Sequence, residues 1–338
     1  MKHLLVFTLI AGALAVIAGC SKDNGVTGPS AVTTDAQAVQ YISQNADSVA
    51  AFTASDEYTI DDEGMQSPDF DVLAKMNVGT EVTGGVIADS SHPLRWGRRI
   101  FWNQIVRDYH VVMSGDSLAY VNLTRTVPGE FSVGWGYHSG DSVVIDSIVK
   151  KPFSEIVKRN FVFRRIAHTD NLLANWVPVA ITMVDGKSNG TNKFTLTSLE
   201  LSESIDHRDT NITDPLNTWF RLGWLRGTIP IVPVRDSVTV RVTVTSSDDS
   251  TELVYVRHGI GKDGLNRRRA ALALVSTSGG PGSYTRVYQR TFVTSLAPFV
   301  LAERFNAVVD VFSHGTVFSK SDPFSNEFWG VPSIVARP

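Results

Sequence analysis

Cysteine is almost missing from this chain: of 338 residues only one, Cys20, is a cysteine. A chain with one cysteine closes no internal disulfide, so its stability has to come from burying a core. Long apolar runs are missing too. The longest, Leu4 to Ala18, falls short of the roughly 20 residues a membrane-spanning helix needs. There is no basic excess of the kind that marks a nucleic-acid binder: Lys+Arg number 31 against 34 Asp+Glu. Catalytic signatures are missing as well. The chain has no His-Glu-x-x-His helix and no Walker loop.

What is present begins at the amino terminus. Met1-Lys2-His3 supplies a positive start, Leu4 to Ala18 has the length of a signal-peptide apolar core, and Gly19-Cys20 closes it. The tetrad Ile17-Ala18-Gly19-Cys20 resembles the lipobox of bacterial lipoproteins. The resemblance covers the first twenty or so residues. It implies cleavage before Cys20, a diacylglyceryl group on its thiol, and two or three acyl chains in all. It also removes Cys20 as a catalytic nucleophile. The residues after Cys20 are Ser21-Lys22-Asp23-Asn24, with no Asp directly following. The inner-membrane retention signal of some lipoproteins is therefore absent, which favours the outer membrane.

From Ser21 to Thr34 the chain is Ser, Lys, Thr, Gly, Asn, Asp, Pro and Ala with two Val. Such a segment cannot bury a core and reads as a flexible tether with a reach of about 20 Å. Loss of Lys2 with the signal makes the formal charge of −3 one unit more negative, ordinary for a soluble body. Hydrophobic residues at 43% supply enough apolar material for a core, and the length suggests two domains.

Asp35 reads as a helix N-cap, followed by Val39, Ile42, Ala46, Val49 and Ala50 at helical spacing. One amphipathic helix is expected over about 36–54. It lacks the basic and aromatic residues of a membrane-surface helix, so it is expected to pack on a sheet. Residues 55–94 are rich in acids, but Asp61-Asp62-Glu63-Gly64 does not have calcium-loop spacing. No metal site is expected.

From Arg95 the period is two. Strands are expected at Ile105–Met113, Leu118–Val127, Phe131–Trp135, Val143–Val149, Asn160–Ile166, Val177–Val184 and Phe194–Leu201. Turns are expected at Ser114–Ser117, Pro128-Gly129, Gly140-Asp141, Lys151-Pro152, Asp170-Asn171 and Asp185-Gly186. The order helix, then meander, resembles the cystatin-like, nuclear-transport-factor-2-like group over 35–202. That resemblance implies a sheet curled around a helix into a cone.

Residues 203–235 read as a connector, with a short strand at Trp219–Leu225. After it, Val238, Val240, Val242 and Val244 alternate with Thr239, Arg241, Thr243 and Thr245, one face dry and one wet. Further strands are expected at Leu253–Arg257, Ala270–Val275, Tyr284–Thr294, Asn306–Ser313 and Phe328–Val335. Over 236–338 this resembles a cysteine-free, fibronectin-like immunoglobulin-like β-sandwich. The expected fold class is thus mainly β with one N-terminal helix: an α+β antiparallel-meander domain (35–202), then an immunoglobulin-like sandwich.

Candidate chemistry is sparse. Gly259-Ile260-Gly261-Lys262-Asp263-Gly264 fits Gly-x-Gly-x-x-Gly but has no acidic residue about 20 positions on, so it reads as a sandwich loop. His92, His110, His138, His168, His207, His258 and His314 are scattered. Arg267-Arg268-Arg269 reads as a solvated edge, with an anionic partner as the sharper alternative. Of seven tryptophans, Trp135 and Trp224 are flanked by glycines and read as candidate binding aromatics in exposed loops. The expectation is a lipid-anchored envelope protein with a non-catalytic binding or scaffolding role and no cofactor. Its partners are the membrane and a protein or glycan, not nucleic acid. The alternatives are a glycan or small-ligand binder and, behind it, a hydrolase whose residues converge only in space.

Overall fold

The computed structural model describes residues 32–45, 92–139, 142–190, 192–203, 209–223, 227–258, 268–296 and 301–337. The protein is mainly β, its strands almost all antiparallel, with one helix on the N-terminal side, α1 (Asp35–Asn45). The start of α1 follows from a reciprocal cap. The Gln37 amide N–H donates to the Thr34 hydroxyl, and the Gln37 side-chain oxygen accepts from the backbone N–H groups of Thr33 and Thr34. Thr34, not Asp35, is therefore the cap. Asp35 sits in the first turn, where it pairs with Arg165 and accepts from the Trp176 indole at 2.9 Å. Val39 is fully buried, as the helical spacing predicts, and so is Ala38 beside it; Ser43 is buried too, its hydroxyl donating to the Val39 carbonyl at 2.8 Å. Residues 46–54 of the expected helix lie outside the described residues.

One large sheet contains β1 (His92–Ile100), β2 (Val106–Ser114), β3 (Leu118–Ser139), β4 (Ser142–Arg165), β5 (Trp176–Thr182) and β6 (Val184–Ser188). The smaller sheet begins with β7 (Phe194–Glu203) and β8 (Asp209–Ile212). The large sheet resumes with β9 (Trp219–Arg221) and β10 (Ile231–Pro233). It continues through β12 (Leu253–His258), β13 (Arg268–Ala271), β16 (Ala302–Phe312) and β17 (Asn326–Ala336). The smaller sheet is completed by β11 (Ser237–Ser246), β14 (Ala273–Gly280) and β15 (Ser283–Val293). A five-residue helix, α2 (His314–Phe318), joins β16 to β17.

Strands β3 and β4 form one long hairpin, in register from Leu118↔Arg164 to Ser139↔Ser142. Two of the expected turns lie inside it. At the first, Pro128 faces Ser154 and Gly129 faces Phe153; at the second, Lys151 faces Phe131 and Pro152 faces Glu130, with no reversal at either place. Gly129 is a glycine for a packing reason: a Cβ there would lie 2.3 Å from the Phe153 ring. Asp185-Gly186 is likewise inside β6, and a Cβ on Gly186 would lie 2.1 Å from the Phe328 ring. Both glycines seat an aromatic ring from the neighbouring strand, a role that local sequence cannot separate from a turn.

The boundary expected at 203–235 does not run between the sheets. Strands from 92–188 and from 231–336 share the large sheet, while 194–212 pairs with 237–293 in the small one. The chain changes sheets repeatedly; at Leu272 it passes from β13 to β14, splitting the single strand expected at 270–275. The large sheet runs in the order β1-β3-β4-β6-β17-β16-β12-β13. It curls, because Trp96 on β1 meets Phe312 of β16 at 5.1 Å and Tyr255 of β12 at 5.5 Å, near the other end of that order. The small sheet packs on the far side of β16 and β17. Val240, Val242 and Val244 share one apolar cluster with Val309, Val311 and Trp329. That is why β17 is buried over eight consecutive residues instead of alternating.

Candidate functional site

The curled sheet encloses an ion network. Arg98 donates to Glu155 and to Asp310, each at 2.6 Å. Arg257 pairs with the same Asp310 oxygen at 2.9 Å, and the Asn326 amide donates to the other at 2.8 Å. The four charged side chains are 0–2% exposed. Arg98 and Arg257 thus face the carboxyl groups of Glu155 and Asp310 where solvation is lost, each cation meeting an acceptor. Beside it, the Arg269 guanidinium lies 3.7 Å from the Trp96 ring centroid and 5.0 Å from that of Tyr255. This part of the Arg267–Arg269 run is thus committed to the core, not to a solvated edge.

Two further buried ions hold chain crossings in place. The Lys151 ammonium donates to the carbonyls of Gly315, Thr316 and Ser319 at 2.7–2.9 Å, capping α2 from the opposite strand. Arg286 pairs with Glu252 at 2.8 Å and donates to the carbonyls of Asp248, Asp249 and Ser250, fixing the turn by which β11 leaves the small sheet. Tyr288 donates to the second Glu252 oxygen at 2.8 Å, and burial beside that carboxylate pushes its pKa up.

Burial also sets the pH response. It pushes Glu155 up to about 7 against the pull of Arg98, and Glu327 up to about 7. It pushes Lys151 down to about 8. Raised carboxyls contribute stability that is complete below their ordinary pKa of 4.5 and lost as pH rises through about 7. For Lys151 the unfolded chain binds the proton more tightly, so stability recovers as pH rises from about 8 toward 10.5. Asp35, held below 3.8 by its hydrogen bond from Arg165, acts only on the acid side. Thermal melting should therefore give a higher Tm at pH 5 than at pH 7.5, with partial recovery near pH 10. Glu327→Gln should flatten the first slope; an unchanged slope would show that Glu327 does not titrate there.

Two surface recesses adjoin at Asn192. The first, about 300 Å³, is lined by Pro152–Ser154, Ser188–Gly190, Asn192 and Pro323–Ser325. Phe153 and Phe324 stack in its wall with ring centroids 4.5 Å apart. The second, about 250 Å³ and more open, is lined by 192–195, 245–247 and 282–284. Asn192 is held fast between them. Its side-chain oxygen accepts from Ser188 at 2.9 Å and Ser325 at 2.7 Å, and its amide donates to the Asn326 carbonyl at 3.0 Å. Sequence reasoning passed over Asn192, because nothing in Asn189-Gly190-Thr191-Asn192 separates a turn from a fixed amide.

The residues singled out in the sequence fall elsewhere. Ile17, Ala18, Gly19 and Cys20 lie outside the described residues, as do Trp224 and the Gly259–Gly264 loop. Trp135 is a correction. It lies inside β3, 8% exposed, in the main apolar cluster with the Lys320 ammonium 4.9 Å from its ring centroid. Its flanking glycines belong to the strand: Gly136 is at a bulge, where a Cβ would lie 1.8 Å from the Val144 carbonyl oxygen. Trp219, by contrast, is 39% exposed on β9. Among the described residues no group of three or more His, Cys, Asp or Glu is placed to hold a metal ion, and no helix is long and apolar enough to cross a membrane. Comparison with known proteins finds no matching family, no matching curated protein and no matching solved structure.

Proposed function

We propose that this is a lipid-anchored protein of the bacterial cell envelope, outer membrane favoured, with a non-catalytic binding or scaffolding role. The observation that carries the proposal is Cys20, the one cysteine of the chain, standing at the end of an apolar signal within Ile17-Ala18-Gly19-Cys20. The character of the folded body agrees with it. Arg98, Glu155, Asp310, Arg257, Lys151, Arg286 and Glu252 are all spent on holding strands and crossings together. In-cell crosslinking of the native lipidated protein, read by mass spectrometry, is expected to capture one or two stoichiometric envelope partners. A capture with no specific protein neighbour would overturn the scaffolding role.

A second reading, a glycan or small-ligand binder, is favoured by the aromatic-walled recess beside Asn192. Clefts of this kind, apolar with a few fixed polar groups, are where small molecules bind. With Trp135 in the core, the recess and the exposed Trp219 replace it as the surfaces to test.

A further inference from the structure

We infer that the two recesses meeting at Asn192 form one binding site for a neutral, hydroxyl-rich chain: an uncharged oligosaccharide. This rests on the second reading above. Charge selects the class. Among the described residues, Lys193 is the one charged residue lining either recess, and its ammonium lies 3.9 Å from the Asp248 carboxylate, which offsets it. An anionic ligand would find no arginine fork, and a cationic ligand no carboxylate in the lining, to replace the water each gives up.

The walls suit sugar chemistry. Phe153 and Phe324 form an apolar floor beneath the first recess, but stacked on each other and only 9% and 7% exposed they present no open ring face, so a sugar is held there by the polar groups. Asn192, clamped by Ser188, Ser325 and Asn326, needs no ordering when a ligand arrives. Other polar groups remain uncommitted. The Ser154 hydroxyl and the Asn189 side-chain amide in the first recess make no hydrogen bond among the described residues; nor do the Thr195 and Ser283 hydroxyls in the second. These short, uncharged donors and acceptors match sugar hydroxyls. Because the recesses share Asn192, the ligand they fit together is a chain of rings rather than one.

The test is calorimetry on the purified full-length lipidated protein in detergent. The probes are neutral oligomers of glucose, galactose and N-acetylglucosamine, with a uronic-acid oligomer as the charged counterpart. Two variants probe the site without touching the core. Asn189 is exposed, and a Cβ built on Gly190 meets nothing within 4 Å. At least one neutral oligomer is expected to bind and the uronic-acid oligomer not to. Asn189→Ala should weaken binding about 5- to 10-fold. Gly190→Trp should abolish it, with the melting temperature of both variants unchanged. Binding of a neutral oligomer with equal strength to both variants would overturn this site and leave the second reading standing. Preference for the uronic-acid oligomer would overturn the neutral class. Binding of no oligomer at all would overturn both the site and the second reading.

Discussion

Asp310→Ala should be among the most damaging single substitutions in this protein. Asp310 takes hydrogen bonds from Arg98 and Asn326 and the charge of Arg257, and it is fully buried. Its removal leaves two arginines facing one carboxylate, Glu155, in a place that water does not reach. Breaking a buried ion pair from one side typically costs about 3–5 kcal/mol, against about 5–15 kcal/mol for the whole stability of a typical domain. Urea unfolding should show a loss of that order, or no folded protein at 37 °C. The cause is the orphaned charge rather than lost attraction, so a control separates the two. Replacing Arg98, Glu155, Asp310 and Arg257 together by apolar residues of similar volume should cost much less than Asp310→Ala alone. If Asp310→Ala cost less than about 1 kcal/mol, the network would not be the electrostatic lock described here.

Cys20→Ala should move the protein from the membrane fraction to the soluble fraction or leave it as an uncleaved precursor. A single acyl chain gives only marginal attachment, about 10⁴ M⁻¹, while two or three make it effectively permanent. All of them depend on the Cys20 thiol and on cleavage beside it if the lipobox resemblance holds. Incorporation of labelled fatty acid should fall from stoichiometric to none. The folded body should be unaffected, since the residues that follow Cys20, 21–34, are poor in apolar side chains. Normal labelling of the alanine variant would dispose of the anchor and, with it, of the proposed location.

These two results bear on different levels of legibility. The proposed anchor rests on a contiguous tetrad, Ile17-Ala18-Gly19-Cys20, which is read directly from the sequence. The network is not. Arg98 and Asp310 are 212 residues apart, and Arg98 and Glu155 are 57 apart. Each charge alone looks like a residue for the wet face of a strand. The recess beside Asn192 was equally hidden, since its walls come from β4, the end of β6 and the approach to β17.

Strand existence was legible where one face is dry and one wet. Val238 to Thr245 alternates, and β11 alternates with it, the four valines at 0–7% exposure. Interruptions were misread where a residue type serves two masters. Gly129 and Gly186 have the composition of turns yet make room for Phe153 and Phe328, so two strands were expected to end where none does. Trp135 between glycines looked exposed and is core.

Local periodicity is enough to give the β-rich class and the place of α1, because each depends on residues close together in the chain. Which strands are neighbours was settled by the tertiary structure. It placed segments from both sides of 203–235 in one curled sheet, brought Trp96 against Tyr255 and Phe312, and turned isolated charges into a closed network. The physical reason is that alternation records which face of a strand is buried but not what covers it. The choice of cover follows from shape and charge balance between residues far apart in the chain.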